Sequence, residues 1–328
     1  MNTLPQSDAL LVLPRLRIQN ANAISSPMTH GFPSITAFLG VMWALERKLG
    51  ETYRASFDSV GVICHRFDEQ VDDGGYVKTF CLTRNPVGKD GKTAAIVEEG
   101  RIHLDITLVF GIGGDIVDQD EQTRAAFAKT VADTLAQMRV AGGTVLPPVR
   151  QMRWARPDLH PIPEDTNELG SWFRKLRRRW LPGFALVCRD DLLAQRLERL
   201  RSVDPKASPL DAWLDLSRFN WHPKRDEGVL AKPDHVEWAH DRSEGWIVPI
   251  PVGYGALSEL YDAGTVANAR DTDTPLRFVE SLYSIGQWIG PHRLQTVRDL
   301  LWYGHADPEA GLYRARNDFS ATSVAATY

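Results

Sequence analysis

The sequence predicts an α+β protein whose first half follows a split βαβ arrangement. Three observations carry that prediction. Apolar, strand-like runs lie at residues 9–18, 59–67 and 101–112. Stretches with helical spacing follow the first and third of them, at 34–49 and 123–140. A turn-rich segment, 68–100, separates the second strand from the third, where a doubly wound sheet would have a helix.

In 34–49, Phe38, Met42, Leu45 and Leu49 recur at spacings of three and four, and Ser34 behind Pro33 is placed to cap the helix. In 59–67, Val60, Val62 and Cys64 alternate as in a strand. The segment 68–100 carries the turn signals DDGG and KDGK and reads as a protruding hairpin or loop. In 123–140, Phe127, Val131, Leu135 and Met138 share one helical face, and Gly142-Gly143 leads into a short strand. The order strand, helix, strand, hairpin, strand, helix, strand is ferredoxin-like.

The second half is less regular. Residues 183–189 read as a strand and 191–201 as a helix. The charged stretch 222–245 reads as a surface insertion. The run 246–254 is strand-like, with two prolines that argue for a sheet edge. Helices are expected at 278–289 and 293–303. No Pro- or Ser-rich linker separates the halves. A portion 1–150 and a portion 151–328 packed on it are therefore expected, compatible with one single domain.

Of the 328 residues, 43% are hydrophobic and 24% charged, which excludes a disordered chain. The net charge of -4 excludes a uniformly basic nucleic-acid binder, so polyanion contacts must come from local patches. Cys64, Cys81 and Cys188 are far apart and odd in number, which argues against a disulfide framework or structural zinc and for a reducing compartment. Residues 1–9 lack a basic n-region, and the apolar runs fall short of the ~20 residues of a membrane span. A cytoplasmic protein without membrane contact is expected.

Catalytic signatures are missing. GKDGKT (88–93) lacks the first glycine and the strand of a phosphate-binding loop, and reads as a turn tip. GIGGDI (111–116) lacks the third glycine of a dinucleotide fingerprint. There is no HExxH and no G-x-S-x-G. His30 and His65 are the histidines placed to act as general acid or base in RNA cleavage, against a structural, hydrogen-bonded role. No catalytic residue, metal site or cofactor is assigned.

Basic and polar clusters carry more. WFRKLRRRW (172–180) places Arg174, Lys175, Arg177, Arg178 and Arg179 between two tryptophans, as a nucleic-acid or partner patch or as a solvated helix face. Arg84 and Asn85 near the hairpin, and Arg270 and Arg277 in NARDTDTPLRF (268–278), add cations beside polar groups. In RLRIQNANAISSP (15–27), Arg15 and Arg17 alternate on a strand. Gln19, Asn20, Asn22, Ser25 and Ser26 follow. Amide side chains can pair with base edges, and hydroxyls suit phosphates. The set fits a single strand of nucleic acid held without being cut; the competing reading is a loop whose Asn side chains satisfy their own backbone.

RIQNANAISSP followed by GFPSITAFLG resembles the N-terminal signature of the Csy-two family, the Cas-five-type subunit of the type I-F CRISPR surveillance (Csy/Cascade) complex. GVICHRF (61–67), LTRNPVGKDGKTAAIVEEGR (82–101), MRVAGG (138–143), LPGFALV (181–187), VPIPVGYGALS (248–258), NARDTDTPLRFVESLYSIGQW (268–288), GPHR (290–293) and LLWYGHADPEAGLYR (300–314) extend the resemblance over almost the whole chain. It is weakest at 114–124, 151–170 and 222–242.

The resemblance implies an RRM-like (ferredoxin-like) RAMP fold, with a protruding thumb hairpin near 68–100 and an additional C-terminal α/β portion packed against it. It implies a non-catalytic role in antiviral defence. With the large subunit, as a heterodimer, such a protein caps the 5′ handle of the CRISPR RNA. It also meets the adjacent repeated backbone subunit, at the end of the assembly where target double-stranded DNA enters. The expected RNA contacts are Arg15, Asn20, Asn22, Ser25, Arg84, Asn85, Arg270 and Arg277. The alternative is a metal-independent RAMP endoribonuclease that processes CRISPR RNA.

Overall fold

The structure is a computed structural model and describes residues 5–75, 77–84, 87–93, 95–148, 155–219, 221–224, 237–240, 245–269 and 271–319. Its elements run β1 (Ala9–Asn22), β2 (Ile24–Ser26), β3 (Thr29–His30), α1 (Ile35–Tyr53), β4 (Ala55–Glu69), β5 (Val71–Asp73), β6 (Lys78–Phe80), β7 (Leu82–Arg84), β8 (Ile96–Glu98), β9 (Arg101–Gly114), α2 (Glu121–Leu135), β10 (Arg139–Val140), β11 (Gly143–Leu146), β12 (Asp158–Pro161), α3 (Thr166–Arg178), β13 (Phe184–Cys188), α4 (Asp190–Val203), α5 (Pro209–Ser217), β14 (Trp221–Lys224), β15 (Glu237–His240), β16 (Trp246–Ala256), β17 (Val279–Ile289), β18 (Trp302–Asp307) and β19 (Leu312–Asn317). The chain is α+β, with five α-helices among the described residues and one large sheet.

That sheet runs β10-β11-β1-β9-β4-β13-β17-β16-β19-β18, with β12 beside β1. Its described pairings are antiparallel. β9 takes one edge of β4 along most of its length. On the other edge β13 meets Ile63 and Cys64, and β18 meets Val60 through Trp302. The C-terminal strands therefore return to β4 and close a ring. Trp302 pins the closure: its indole N–H donates to the Leu186 carbonyl at 2.8 Å, and the ring is fully buried.

The sheet is covered on both faces, which explains the unbroken apolar run in β1. Leu11 and Leu13 point to the layer of α1 and α2; Leu10 and Val12 join the layer of α3, with Phe173, Leu176 and Trp180. α1 begins where Ser34 accepts the Thr36 N–H, and it buries Phe38, Met42 and Leu45, as the spacing predicts. The Ser34 hydroxyl also donates to the Pro251 carbonyl at 3.3 Å, joining the helix start to β16.

Several expectations need correction. The second helix stops at Leu135, short of 140. Ala141 and Gly142 both take positive φ (48° and 80°) between Val140 and Gly143, the geometry of a two-residue hairpin turn, so 139–146 is a hairpin. Residues 279–289 of the stretch expected to be a helix form β17. Leu282, Ile285 and Ile289 mimic a helical stripe, yet the run pairs with β13 on one side and β16 on the other. Gly286 sits so close to Ile250 and Leu186 that an added Cβ would lie 3.1 Å from each.

Residues 293–303 are not a helix either. Asp299 accepts the N–H groups of Gln295 and Thr296 at 2.6 and 2.9 Å, which closes a short 3-10 turn before β18. β16 is an edge only in part. Pro249 and Pro251 lie where it pairs with β17 alone, while 253–255 is flanked by β17 and β19. α5 was unforeseen, although Ser208 and Asp211 form a capping box with Pro209 in the first turn.

The segment 68–100 forms two ribbons, β5–β6 and β7–β8, and the GKDGKT stretch between β7 and β8 turns tightly, with Gly88 N–H donating to the Lys92 carbonyl at 3.0 Å. In 222–245, β14 and β15 pair as a ribbon; 225–236 and 241–244 lie outside the described residues.

Candidate nucleic-acid interface

Strand β1 is bulged twice against β9, between Leu13 and Leu16 and between Ile18 and Ala21. Each bulge places a non-glycine residue at positive φ: Arg15 (54°) and Asn20 (58°). Side chains hold both. At the first, the Arg15 N–H donates to Thr107 Oγ1 at 3.3 Å and its guanidinium pairs with Asp105 at 3.3 Å. Thr107 Oγ1 also meets His65 Nε2 at 2.8 Å, and His65 Nδ1 meets the Pro182 carbonyl at 2.7 Å. A carbonyl can only accept, so Nδ1 carries the proton and Nε2 accepts from the threonine hydroxyl. Burial lowers the His65 pKa, with Arg15 adding to the effect, which favours this neutral ring.

At the second bulge, the Asn20 N–H donates to His103 Nδ1 at 3.1 Å, and Gln70 donates to Asn20 Oδ1. Asn22 closes on itself: its amide donates to the Ile24 carbonyl at 2.7 Å and accepts the Ile24 N–H at 3.1 Å. Ser25 and Ser26 meet the Thr29 hydroxyl at 2.7 and 2.6 Å, which fastens the β2–β3 turn. For Asn22 the competing reading, an amide satisfied by nearby backbone, is what the structure shows.

The remaining site residues are dispersed. Arg84 lies in β7; Asn85 and Arg270 are outside the described residues. Arg277 donates to the Pro308 carbonyl at 3.1 Å, far along the chain in β17's approach. On α3 and just past its end, Trp180 is buried and Trp172 half-buried, so the tryptophans face inward while Arg174, Lys175, Arg178 and Arg179 remain exposed. Arg179 reaches His160 at 3.3 Å and Asp158 at 4.0 Å. Arg177 lies over the Phe173 ring; burial, then Arg174 and Arg178, lower its pKa.

Sequence reasoning missed an aromatic cavity. A cleft of about 460 Å³ opens between the β2–β3 hairpin, β4, β13 and β16. Trp246 lines it and lies 6.2 Å from Phe67, 5.5 Å from Phe184 and 6.1 Å from Trp288, ring to ring. Phe67, Phe184 and Trp246 keep 48%, 45% and 43% of their surface exposed, unusual for rings that touch one another. At the rim, His30 Nε2 lies 3.5 Å from Glu69. A second, polar cavity of about 290 Å³ adjoins it, lined by Arg17, His103 and Asp105, and shares Arg66 and Phe67 with the first. The sequence signal was the aromatic in HRFDE, at a strand position flanked by charges.

The thiols of Cys64 and Cys188 are buried and pushed up to about 12 by desolvation, which leaves them protonated and unreactive. Among the described residues no group of His, Cys, Asp and Glu is arranged to hold a metal, and no helix is long and apolar enough to cross a membrane.

A family model described as CRISPR-associated protein (Cas_Csy2) matches residues 11–315. The CRISPR-associated protein Csy2 of Pseudomonas aeruginosa (strain UCBPP-PA14) is 49% identical over 312 residues, covering 94% of this chain and 94% of the relative. The chain therefore belongs to the Cas_Csy2 family of CRISPR-associated proteins.

Proposed function

We propose that the chain is the non-catalytic subunit of a type I-F CRISPR RNA-guided surveillance complex that, with the large subunit, binds and caps the 5′ handle of the CRISPR RNA. The observation that carries this reading is the pair of joined cavities, aromatic and cationic, beside the bulged β1–β9 face in a chain of this family. Aromatic rings next to unpaired arginines are what a single strand requires: planes for bases and charges for phosphates.

The order β11-β1-β9-β4, with α1 after β1 and α2 after β9, supports an RRM-like RAMP fold; the ribbons in 71–98 are its thumb, directed at the neighbouring backbone subunit. The C-terminal portion, 151–328, packs on the first through β13, in keeping with one continuous domain. RNA passes over the rim built by Arg15, Asn20, Asn22 and Ser25, and past Arg84, Asn85, Arg270 and Arg277. The exposed arginines and lysine of α3 face target DNA or the large subunit. Three free cysteines support a cytoplasmic setting.

The endoribonuclease reading is disfavoured by His65, both of whose nitrogens are engaged within the fold. Purification of the tagged chain from cells carrying its neighbouring genes tests the proposal. Co-purifying large subunit and short RNAs with one shared 5′ end are expected; chain alone, without RNA, overturns it. Cleavage of precursor RNA by the isolated chain, lost in His30→Ala, would establish the enzyme instead.

A further inference from the structure

The aromatic cleft and its polar neighbour meet at Arg66 and Phe67, consecutive residues of β4 just past the bulge at His65. Alternation along the strand sends one side chain to each side of the ladder, so a cation and a ring stand back to back at the junction. Arg66 and Arg17 are both exposed, and among the described residues neither has an acidic partner within ion-pair distance. Asp105, the carboxylate beside them, is taken by Arg15. The aromatic side is walled by Trp246, Phe184, Phe67 and Trp288, with one polar rim at His30 and Glu69.

We propose that this cleft is a nucleobase pocket: one base of the bound single strand leaves the stack and lies against Trp246 and Phe67, while its sugar–phosphate passes Arg66 and Arg17 through the polar cavity. This rests on the RNA-binding reading above and adds to it a site and a ligand class. An apolar side chain of a partner protein would fill the rings equally well, but it would leave two arginines unpaired at the mouth and would not use the rim. A base uses all three. The His30 ring and the Glu69 carboxylate offer a donor and an acceptor to its edge. The volume of about 460 Å³ falls in the range of small-molecule sites and exceeds what a single water-filled gap needs.

The test uses the full chain and the 5′ segment of the RNA that co-purifies with it, resynthesised as a set in which one base at a time is replaced by an abasic ribose. In the unaltered chain one abasic position is expected to weaken binding by roughly 5- to 150-fold, the range for loss of one base–aromatic stack. Trp246→Leu is expected to weaken the intact RNA by a similar factor. It should also abolish the extra loss at that one abasic position, with the salt dependence unchanged. Phe67→Leu, a second and independently exposed ring, should behave alike, and thermal melts of both variants report whether they fold. Equal abasic penalties in the variants and the unaltered chain overturn the pocket while leaving RNA binding intact. Loss of large-subunit association at constant RNA affinity also overturns it, assigning the cleft to a protein side chain. Absence of any co-purifying RNA overturns the underlying reading, and the pocket with it.

Discussion

Arg15, Asn20, Asn22 and Ser25 each hold partners inside the fold, whereas Phe67, Phe184 and Trp246, across β4 from the first of them, touch one another and still expose nearly half their surface. The two regions share strands and differ in what remains to be satisfied. A hydrogen-bonded amide gains little from a ligand, because a new bond replaces an old one at a net of about 0.5–1.5 kcal/mol. An exposed ring gains by about 25 cal/mol for each Å² of apolar surface covered. On the proposed RNA-binding reading, the rings therefore have more to gain from a ligand than the polar stretch.

Four variants and one titration sharpen or break that contrast. The largest effect is expected from Thr107→Val in the β9 core. It removes the oxygen that accepts the Arg15 N–H and bonds His65, leaving buried groups unpaired. Unfolding in denaturant should show a loss of roughly 2–4 kcal/mol; a loss under 1 kcal/mol would show that the bulge holds without it. Phe67→Ala should do the opposite. RNA affinity should fall by about 1–3 kcal/mol, with stability changed by less than about 1 kcal/mol, since the ring is half exposed.

Asn22→Ala should cost about 1 kcal/mol of stability through its two bonds with Ile24, and less RNA affinity than Phe67→Ala. The reverse ranking would make the amide, not the ring, the reader of RNA. The pH dependence follows from His65 and His160, both lowered chiefly by burial. The unfolded chain takes up protons near the ordinary value of 6.5 while the folded chain does not. Stability should therefore fall as pH drops below about 6.5, and less so in His65→Gln, in melts across pH 5–7.5. The smallest effect is expected on α3. Arg174→Ala with Arg178→Ala should leave the melting temperature within a few degrees. If the helix meets duplex DNA, the slope of log K against log salt should fall by about two.

Local signals were legible where local physics decides. Ser34 caps α1, Phe38, Met42 and Leu45 face the core, and Phe127, Val131 and Leu135 share a buried side, as their spacing requires. The resemblance carried by RIQNANAISSP and its companions leads to the same family as the comparisons, since long motifs survive without knowledge of the fold. Asn22 was legible both as a nucleic-acid contact and as an amide satisfied by nearby backbone, and the structure shows its bonds to Ile24; the bond of Ser25 to Thr29 was not legible.

The sequence by itself determined the secondary elements that nucleate locally, the α+β class and the family. Tertiary structure alone decided that 279–289 is a strand: its apolar residues suit either period, and the choice belongs to β13 and β16, whose paired residues lie 98–104 and 23–42 residues upstream. It alone closed the ring from β18 to β4. It alone assembled the cleft, whose rings at 67, 184, 246 and 288 lie on four different strands or at their ends. No window of the chain contains that site, because a strand sees its neighbours only after the sheet has formed.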